Sequence, residues 1–346
     1  QVTDADLGTC LDFVWVDGYF MTTDGTHLIV TELADPMSIN PLKYGSSEAD
    51  PDPIKALIKL KNEVYAMNAH TIEVFDNVGG TLFPFSRIEG AQIQKGVVGT
   101  HACCLFSDVL AFLGSGRNEA PGVYLGANGQ AMKISTQEID KTILSFSGSQ
   151  LANVLLEARI EDAHEFLFVH LPDRTLIYDA KASKELNDHV WFSFTSSIVD
   201  FSQYRAQNFV YCYDKWLCAD PTTSKHGYLS EATTNHYDDI VRWEFVTPII
   251  YGDGKGAIFN ELELVCLTGR IALGLDPQIS TSYSVDGESW SQDKSRKVGK
   301  IGDRTKRIVW FQNGSMRHMR IQRFRGDSQA NVSIARLEAQ IELLNY

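Results

Sequence analysis

The sequence predicts an all-β protein: a β-propeller-like antiparallel domain with one inserted helix, followed by a C-terminal β-sandwich. Three observations predict it. The chain up to about residue 245 consists of short β-branched and aromatic runs broken by turn residues, the spacing of consecutive hairpins. From Phe245 the runs lengthen and alternate, as in FNELELVCL and MRHMRIQRF, which fits two layers with polar and apolar residues on opposite faces. One stretch near Ser135 carries helix signals instead.

Taken in order, the first unit reads LDFVWVDGYFMTTDGTHLIVTEL, with Asp17-Gly18 and Asp24-Gly25 separating strands over residues 11–16, 19–23 and 27–33. Asp-Gly supplies the positive φ angles that a two-residue hairpin needs. Residues 34–53 hold four prolines and are expected as a long surface loop, a length associated with contact or insertion elements. Hairpin-rich units follow over 54–75, 102–134, 156–178, 190–218 and 226–250. Such repetition points to propeller blades, with a two-sheet sandwich as the alternative for this half. Ser135-x-x-Glu138 reads as a capping box before Ile139, Ile143 and Leu144; Leu151, Val154 and Leu155 form a second short turn. The expected role of this insertion is to pack on the side of the β domain. A boundary near Thr247 divides the chain into a propeller-like part, 1–246, and a sandwich, 247–346.

At 346 residues the chain exceeds one typical domain. A hydrophobic share of 44% with 22% charged residues is ordinary for a globular protein. No apolar run approaches the ~20 residues of a membrane helix, and no signal-peptide core opens the chain, so no membrane partner is expected. The six cysteines, Cys10, Cys103, Cys104, Cys212, Cys218 and Cys266, include no C-x-x-C pair; free thiols are expected and structural zinc is not. Cys212 and Cys218 would lie about 20 Å apart along one strand, too far to bridge unless the run folds into a hairpin. Charge divides unevenly. Residues 246–346 carry 14 Lys or Arg against 11 Asp or Glu, +3, which leaves −16 of the total −13 for residues 1–245. Any nucleic-acid contact therefore falls to the last hundred residues, because phosphates reward clustered cations.

Candidate chemical motifs resolve into structural readings. Ser284-Val-Asp-Gly-Glu-Ser-Trp290 looks like the Asp-box of sialidase propellers but lacks one residue between Asp and Gly; Asp286-Gly287 is read as a hairpin turn with Trp290 returning to the core. His164 and His170 share a strand face at a separation too great for one metal, beside Phe166 and Phe168, and are read as core or boundary residues. Glu48, Asp50 and Asp52 are read as solvated loop acids. Gly252-x-Gly254-x-Gly256 lacks the G-K-[ST] ending of a phosphate loop and is read as a turn. No catalytic, cofactor or metal residue is assigned. One cluster stands out: Lys294, Arg296, Lys297, Lys300, Arg304, Lys306 and Arg307 in KSRKVGKIGDRTKR, continued by Arg317, Arg320, Arg323 and Arg325 against the single acid Asp303. A dense single-sign patch steers anionic partners. These residues are the candidate contact to an acidic protein neighbour or DNA, with a solvated loop as the alternative.

A run of motifs carries a family resemblance: TIEVF (71–75), IQKGVVG (93–99), APGVY (120–124), GANGQA (126–131), ISTQEI (134–139), HEFLFVHLPDRTLIYDA (164–180), FVTPIIYGDGKGAIFNELEL (245–264) and the basic IVWFQNGSMRHMRIQRFR (308–325). Together these resemble the packaged-DNA stabilisation proteins, the tail hub or nozzle subunits, of short-tailed podovirus phages. The resemblance spans nearly the whole chain, and none of its motifs is catalytic. It implies a non-enzymatic virion tail protein without a cofactor, assembled in the host bacterial cytoplasm. It further implies a hexameric ring below the portal and its adaptor that helps retain packaged DNA and meets tailspikes and the tail needle, with DNA contact in the channel. The family carries a further N-terminal segment and this chain opens on Gln1, so an N-terminal part is expected to be missing. The rival function is a glycan-binding or glycoside-hydrolase-type propeller with an appended sandwich, since fold does not determine function. A cleft with paired carboxylates and stacked aromatics would favour it.

Overall fold

A computed structural model describes residues 2, 4–252 and 254–344. Two compact units divide the chain, Gln1–Phe194 and Thr195–Tyr346. The first is built from four consecutive four-stranded antiparallel meanders. Sheet I comprises Asp12–Val16, Tyr19–Thr23, His27–Glu32 and Asp35–Ser46; sheet II comprises Ile54–Leu60, Glu63–Asn68, Ile72–Asn77 and Phe85–Arg87. Sheet III comprises Cys103–Phe106, Val109–Gly114, Gly122–Ala127 and Gln130–Lys133; sheet IV comprises Leu155–Glu161, His164–His170, Thr175–Asp179 and Trp191–Phe194. Tight loops explain the regularity. Asp17-Gly18, Ser107-Asp108, Asn128-Gly129 and Asp162-Ala163 each place both residues at positive φ, which matches the right-handed twist of the strands they join.

Apolar residues on alternating positions pack these sheets face to face. Val16, Met21, Leu28 and Val30 of sheet I meet Ile54, Leu57 and Phe75 of sheet II. Tyr65 and Val74 of sheet II join Phe112, Leu113 and Val123 of sheet III and Leu167 and Val169 of sheet IV in a larger core. The IQKGVVG motif sits where main chains approach too closely for a side chain. A Cβ on Gly96 would run into the backbone of residues 68–70, and one on Gly114 would run into the Gly96 carbonyl.

Several sequence expectations need correction. Residues 35–46 form the fourth strand of sheet I and not a loop. Pro36 and Pro41 are tolerated because among the described residues this strand pairs only with His27–Glu32, with two register shifts, and an edge strand spares the missing N–H. Asp24-Gly25 belongs to a longer turn in which only Gly25 has positive φ, while the Asp24 carboxylate accepts from the N–H groups of Thr26 and His27. The inserted helix exists, Gln137–Leu144, but Thr136 is its N-cap and makes no side-chain cap. Ser135 Oγ accepts from Val123 N–H and donates to Asp140. The capping box lies at Ser147 and Gln150, opening the short helix Gly148–Leu151. A third helix, Ala180–Leu186, was not expected; Asp179 caps its start and Asn187, in the left-handed conformation, ends it. The units expected over 190–218 and 226–250 are partitioned differently. Trp191–Phe194 completes sheet IV by pairing with Thr175–Asp179, and a three-stranded sheet V is formed by Gln207–Cys212, Lys215–Ala219 and His226–Tyr228. Cys212 and Cys218 thus lie on the two arms of a hairpin, Cys212 opposite Lys215, and all six cysteines are free.

In the second unit, sheet V precedes two further sheets. Sheet VI runs in the order Arg242–Val246, Met319–Asp327, Gln278–Ser284, Lys294–Lys297, with Ile250–Tyr251 also paired to Met319–Asp327. The centre of sheet VII is Ala257–Leu267, flanked on one edge by Ile308–Phe311 and Ser315–Met316 and on the other by Ser333–Leu343. Phe259, Leu262, Leu264, Trp310 and Phe324 form their shared core. Arg242–Val246, N-terminal to the expected boundary, pairs along its whole length with Met319–Asp327.

Candidate contact surfaces

The basic segment folds as strand, turn and strand. Lys294–Lys297 is the edge of sheet VI, paired with Gln278–Ser284, and not a loop. The pairing leaves alternate side chains free to reach sideways. Lys294 Nζ donates to the carbonyls of Phe311 and Gln312, Arg296 Nε donates to the Val309 carbonyl at 2.9 Å, and the Lys294 carbonyl accepts from Trp310 Nε1 at 2.8 Å. Two of the seven cations find carboxylates that lie far off in sequence: Lys297 pairs with Asp276 at 2.5 Å, and Arg307 grips Glu263 and Glu261. Arg307 holds the Glu263 carboxyl below its ordinary range. Lys300, Arg304 and Lys306 lie on the exposed turn between Lys297 and Ile308. Among the described residues none of these three has an ion pair.

The continuation of the cluster divides further. Arg325 pairs with Asp293. Arg323 lies over the Trp290 ring at 4.0 Å, so Trp290 is half-buried on the sheet and does not return to the core as expected. Asp286 organises that hairpin by accepting from the N–H groups of Glu288 and Ser289. Arg320 is no surface residue at all: it is fully buried. Its guanidinium lies between the rings of Phe259 and Tyr283, at 4.1 and 3.9 Å. It donates to the Asn313 carbonyl at 2.7 Å and to Gln322 Oε1. Burial pulls its pKa down to about 10.

A second surface lies where the first strands of sheets I to IV meet: Asp12–Val16 contacts Ile54–Leu60, that strand contacts Cys103–Phe106, and that one contacts Leu155–Glu161. Their junction leaves a groove of about 480 Å³ lined by Asp12, Trp15, Lys59, His101, Cys104 and Glu157 among others. The sequence assigned no site to these residues; apart from His101, which precedes Cys103–Phe106, their available signal was a shared position on the opening strand of each meander. The two acids are engaged within the protein. Asp12 accepts from the N–H groups of Leu57 at 2.8 Å and Phe13 at 2.9 Å, and burial raises its pKa against those bonds. Glu157 faces His170 Nε2 at 3.2 Å. Lys59 sits over the Trp15 ring at 4.9 Å. Burial pushes the Cys104 thiol up to about 12, so it stays protonated and is a poor nucleophile.

The other singled-out residues serve the scaffold. His164 bonds Asp179 at 2.7 Å, and the same carboxylate caps the following helix through Ala182 N–H. His170 bonds Thr175. The rings of His164 and Phe166 stack, as do those of Phe168 and His170. Asp52, expected in solvent, accepts from His70 N–H at 2.6 Å and from the Thr71 hydroxyl, and Asp50 pairs with Arg117 at 2.5 Å. Glu48 is exposed as expected.

Comparison with known proteins agrees with this architecture. Residues 1–234 match the family model described as bacteriophage P22 Gp10, beta-propeller, and residues 242–342 match the one described as bacteriophage P22 Gp10, beta-sandwich. The tail hub protein gp10 of Salmonella phage P22 is 27% identical over 348 residues, covering 98% of this chain and 72% of that protein. Among solved structures, an exo-beta-1,3-galactanase from Phanerochaete chrysosporium aligns over 95% of each chain at 9% identity with a TM-score of 0.31. A family 43 arabinoxylan arabinofuranohydrolase from Bacillus subtilis aligns at 10% identity, over 95% of this chain and 64% of its own, with a TM-score of 0.23. Scores this low carry no argument about fold or activity.

Proposed function

The chain belongs to the bacteriophage P22 Gp10 family, and from that premise we propose how it works in the virion. It is a structural tail hub protein and a component of the phage tail. In this reading, copies form a hexameric ring below the portal and its adaptor, close the channel, hold the packaged DNA inside the capsid and present surfaces to tailspikes and the tail needle, after assembly in the host cytoplasm. The observation that carries it is the match of propeller and sandwich, in order, to one tail-hub family. The physical logic is steric and multivalent. A heterologous contact repeated by rotation closes a ring, and many modest patches acting together hold firmly.

The reading is non-enzymatic. It is supported by the engagement of Asp12 and Glu157 with internal partners, which leaves the groove without a free carboxylate pair of the kind glycoside hydrolysis uses. Within the ring, the seven basic residues Lys294, Arg296, Lys297, Lys300, Arg304, Lys306 and Arg307 are the proposed contact to an acidic neighbour, with DNA in the channel as the second candidate. The test adds purified protein to genome-filled, tail-less particles and measures nuclease-sensitive DNA over time. Retention of the genome supports the reading, and release at the rate of untreated particles overturns it. A parallel screen on sialosides and O-antigen-type polysaccharides tests the non-enzymatic part. Turnover lost on replacing Asp12 or Glu157 would replace it with glycan chemistry.

A further inference from the structure

We propose that the last strand of sheet VII, Ser333–Leu343, is the docking edge for a second copy of this chain, and that it receives that copy's Lys300–Lys306 turn. The inference rests on the ring reading above and names its contact. Among the described residues the strand pairs only with Ala257–Leu267, so along its eleven residues the outer N–H and C=O groups have no strand partner. A long open edge of this kind is a template for association unless it is covered or blunted.

Its side chains say the edge is meant to be covered. Ala339, Ile341 and Leu343 lie opposite Leu262, Phe259 and Ala257, all three buried. They continue the core face of the sheet, yet Ile341 is 42% and Leu343 61% exposed. An apolar row that extends a core past its own covering layer is an interface feature, not a solvent face. The opposite row carries Glu338 and Glu342, next to Glu261 and Glu263 of the neighbouring strand. Against these four carboxylates stand Arg307 and Arg336, which pair with Glu263, Glu261 and Glu338, so the row stays net acidic.

Charge selects the occupant. The Lys300–Lys306 turn offers three exposed cations around Ile301, which is 56% exposed, a complement to an apolar row beside an acidic one. Within one copy that turn is tied to the far end of sheet VII: Thr268 Oγ1 donates to the carbonyls of Asp303 and Lys306, beside the Leu267–Ser333 pair. Glu342 lies nine residues along the strand from Ser333 and Glu338 five, roughly 30 Å and roughly 16 Å at ~3.3 Å per residue, beyond one Debye length in physiological salt. Arg307 spans to Glu261 and Glu263 within one copy, but among the described residues Lys300, Arg304 and Lys306 make no ion pair with that copy's Glu338 or Glu342 and are left for a second copy. Unlike patches that meet only between copies make a heterologous contact, the kind that generates rings.

The experiment uses three forms of the full chain: wild type, E338K/E342K and K300E/R304E/K306E, all substituted at exposed positions. Self-association is measured by sedimentation velocity across a concentration series, with circular dichroism to confirm folding. Each variant alone is expected to associate at least ~10-fold more weakly than wild type, because like charges then face each other across the contact. An equimolar mixture of the two variants is expected to regain association, since every contact in an alternating assembly is again complementary. Association in either variant equal to wild type, or a mixture no stronger than its parts, overturns the docking edge while leaving the ring itself standing. A wild type that stays monomeric throughout overturns both. If E338K/E342K does not fold, the turn variant mixed with wild type decides: wild-type edges must still capture wild-type turns but not reversed ones.

Discussion

At the scale of single residues, the basic cluster shows how far a charge count can mislead. Arg320 sits in a run of surface-looking cations, yet it is the buried spacer between Phe259 and Tyr283 and the donor that satisfies the Asn313 carbonyl and Gln322. Arg320→Ala is expected to destabilise the protein by about 3 kcal/mol, since it opens a cavity and strands buried acceptors. Lys306→Ala, on the exposed turn, should stay within about 0.5 kcal/mol; urea unfolding of both variants checks the contrast. Nothing in the residue string separates the environments of Arg320 and Lys306, because burial is decided by strands that pair over long sequence distances. The same limit hid Asp220. Its side chain is buried, and although burial opposes ionisation, bonds from Arg205, Thr223 and Thr222 hold its pKa well below the usual carboxylate range. The unfolded chain takes up that proton near pH ~3.9, whereas the folded protein resists it. The stabilisation is therefore complete above pH ~5 and shrinks as pH falls through ~4 and below. Asp220→Asn should cost about 2 kcal/mol at pH 7, with the gap to wild type narrowing toward pH 3 in thermal melts.

At the scale of elements, the legible features were those whose cause is local. Asp17-Gly18 fixed its hairpin, the alternation in NELELVCL set a strand whose buried face matches its sheet, and the apolar run in HEFLFVH marked a strand buried on both faces over residues 167–170. The helix near residue 137 was visible from its apolar spacing, but its cap was misplaced because Ser135 faces two competitors, the Val123 N–H and the Asp140 carboxylate, which only the folded chain brings near. The strand over residues 35–46 was hidden by its prolines, which an edge position excuses. The Ser107-Asp108, Asp162-Ala163 and Tyr213-Asp214 loops adopt positive φ without the glycine that announces such turns. Close approach explains the IQKG motif better than any chemistry does. Gly96→Ala would push a methyl into the backbone of residues 68–70, with main chain on every side and no flexible side chain to yield. It is expected to cost more than about 3 kcal/mol or to prevent accumulation of folded protein. Gly148→Ala, at a position open to solvent, should be neutral or slightly stabilising. Thermal unfolding of the two variants tests whether packing, and not turn geometry, requires Gly96.

At the scale of the whole molecule, the tertiary structure changes what the acidic and basic parts can do. Read as a string, Lys294 to Arg307 offers seven cations, and seven phosphate contacts would give duplex binding a log–log salt slope of about −6. Folding redirects most of them. Lys294 and Arg296 donate to carbonyls of the adjacent strand, and Lys297 and Arg307 are engaged by Asp276, Glu261 and Glu263. Lys300, Arg304 and Lys306 remain. Three phosphates at about −0.9 each give a slope near −3 at most, in the range of weak, non-specific binding. Duplex affinity measured by fluorescence anisotropy between 50 and 200 mM salt is therefore expected to fall by less than about 100-fold, and K300E/R304E/K306E should abolish it. A slope near −6 would mean that the internal pairs open on DNA and that the segment is a nucleic-acid surface after all. A slope of −3 or shallower leaves DNA too weak a ligand to account for the patch, and the acidic neighbour becomes the partner that the charge distribution requires.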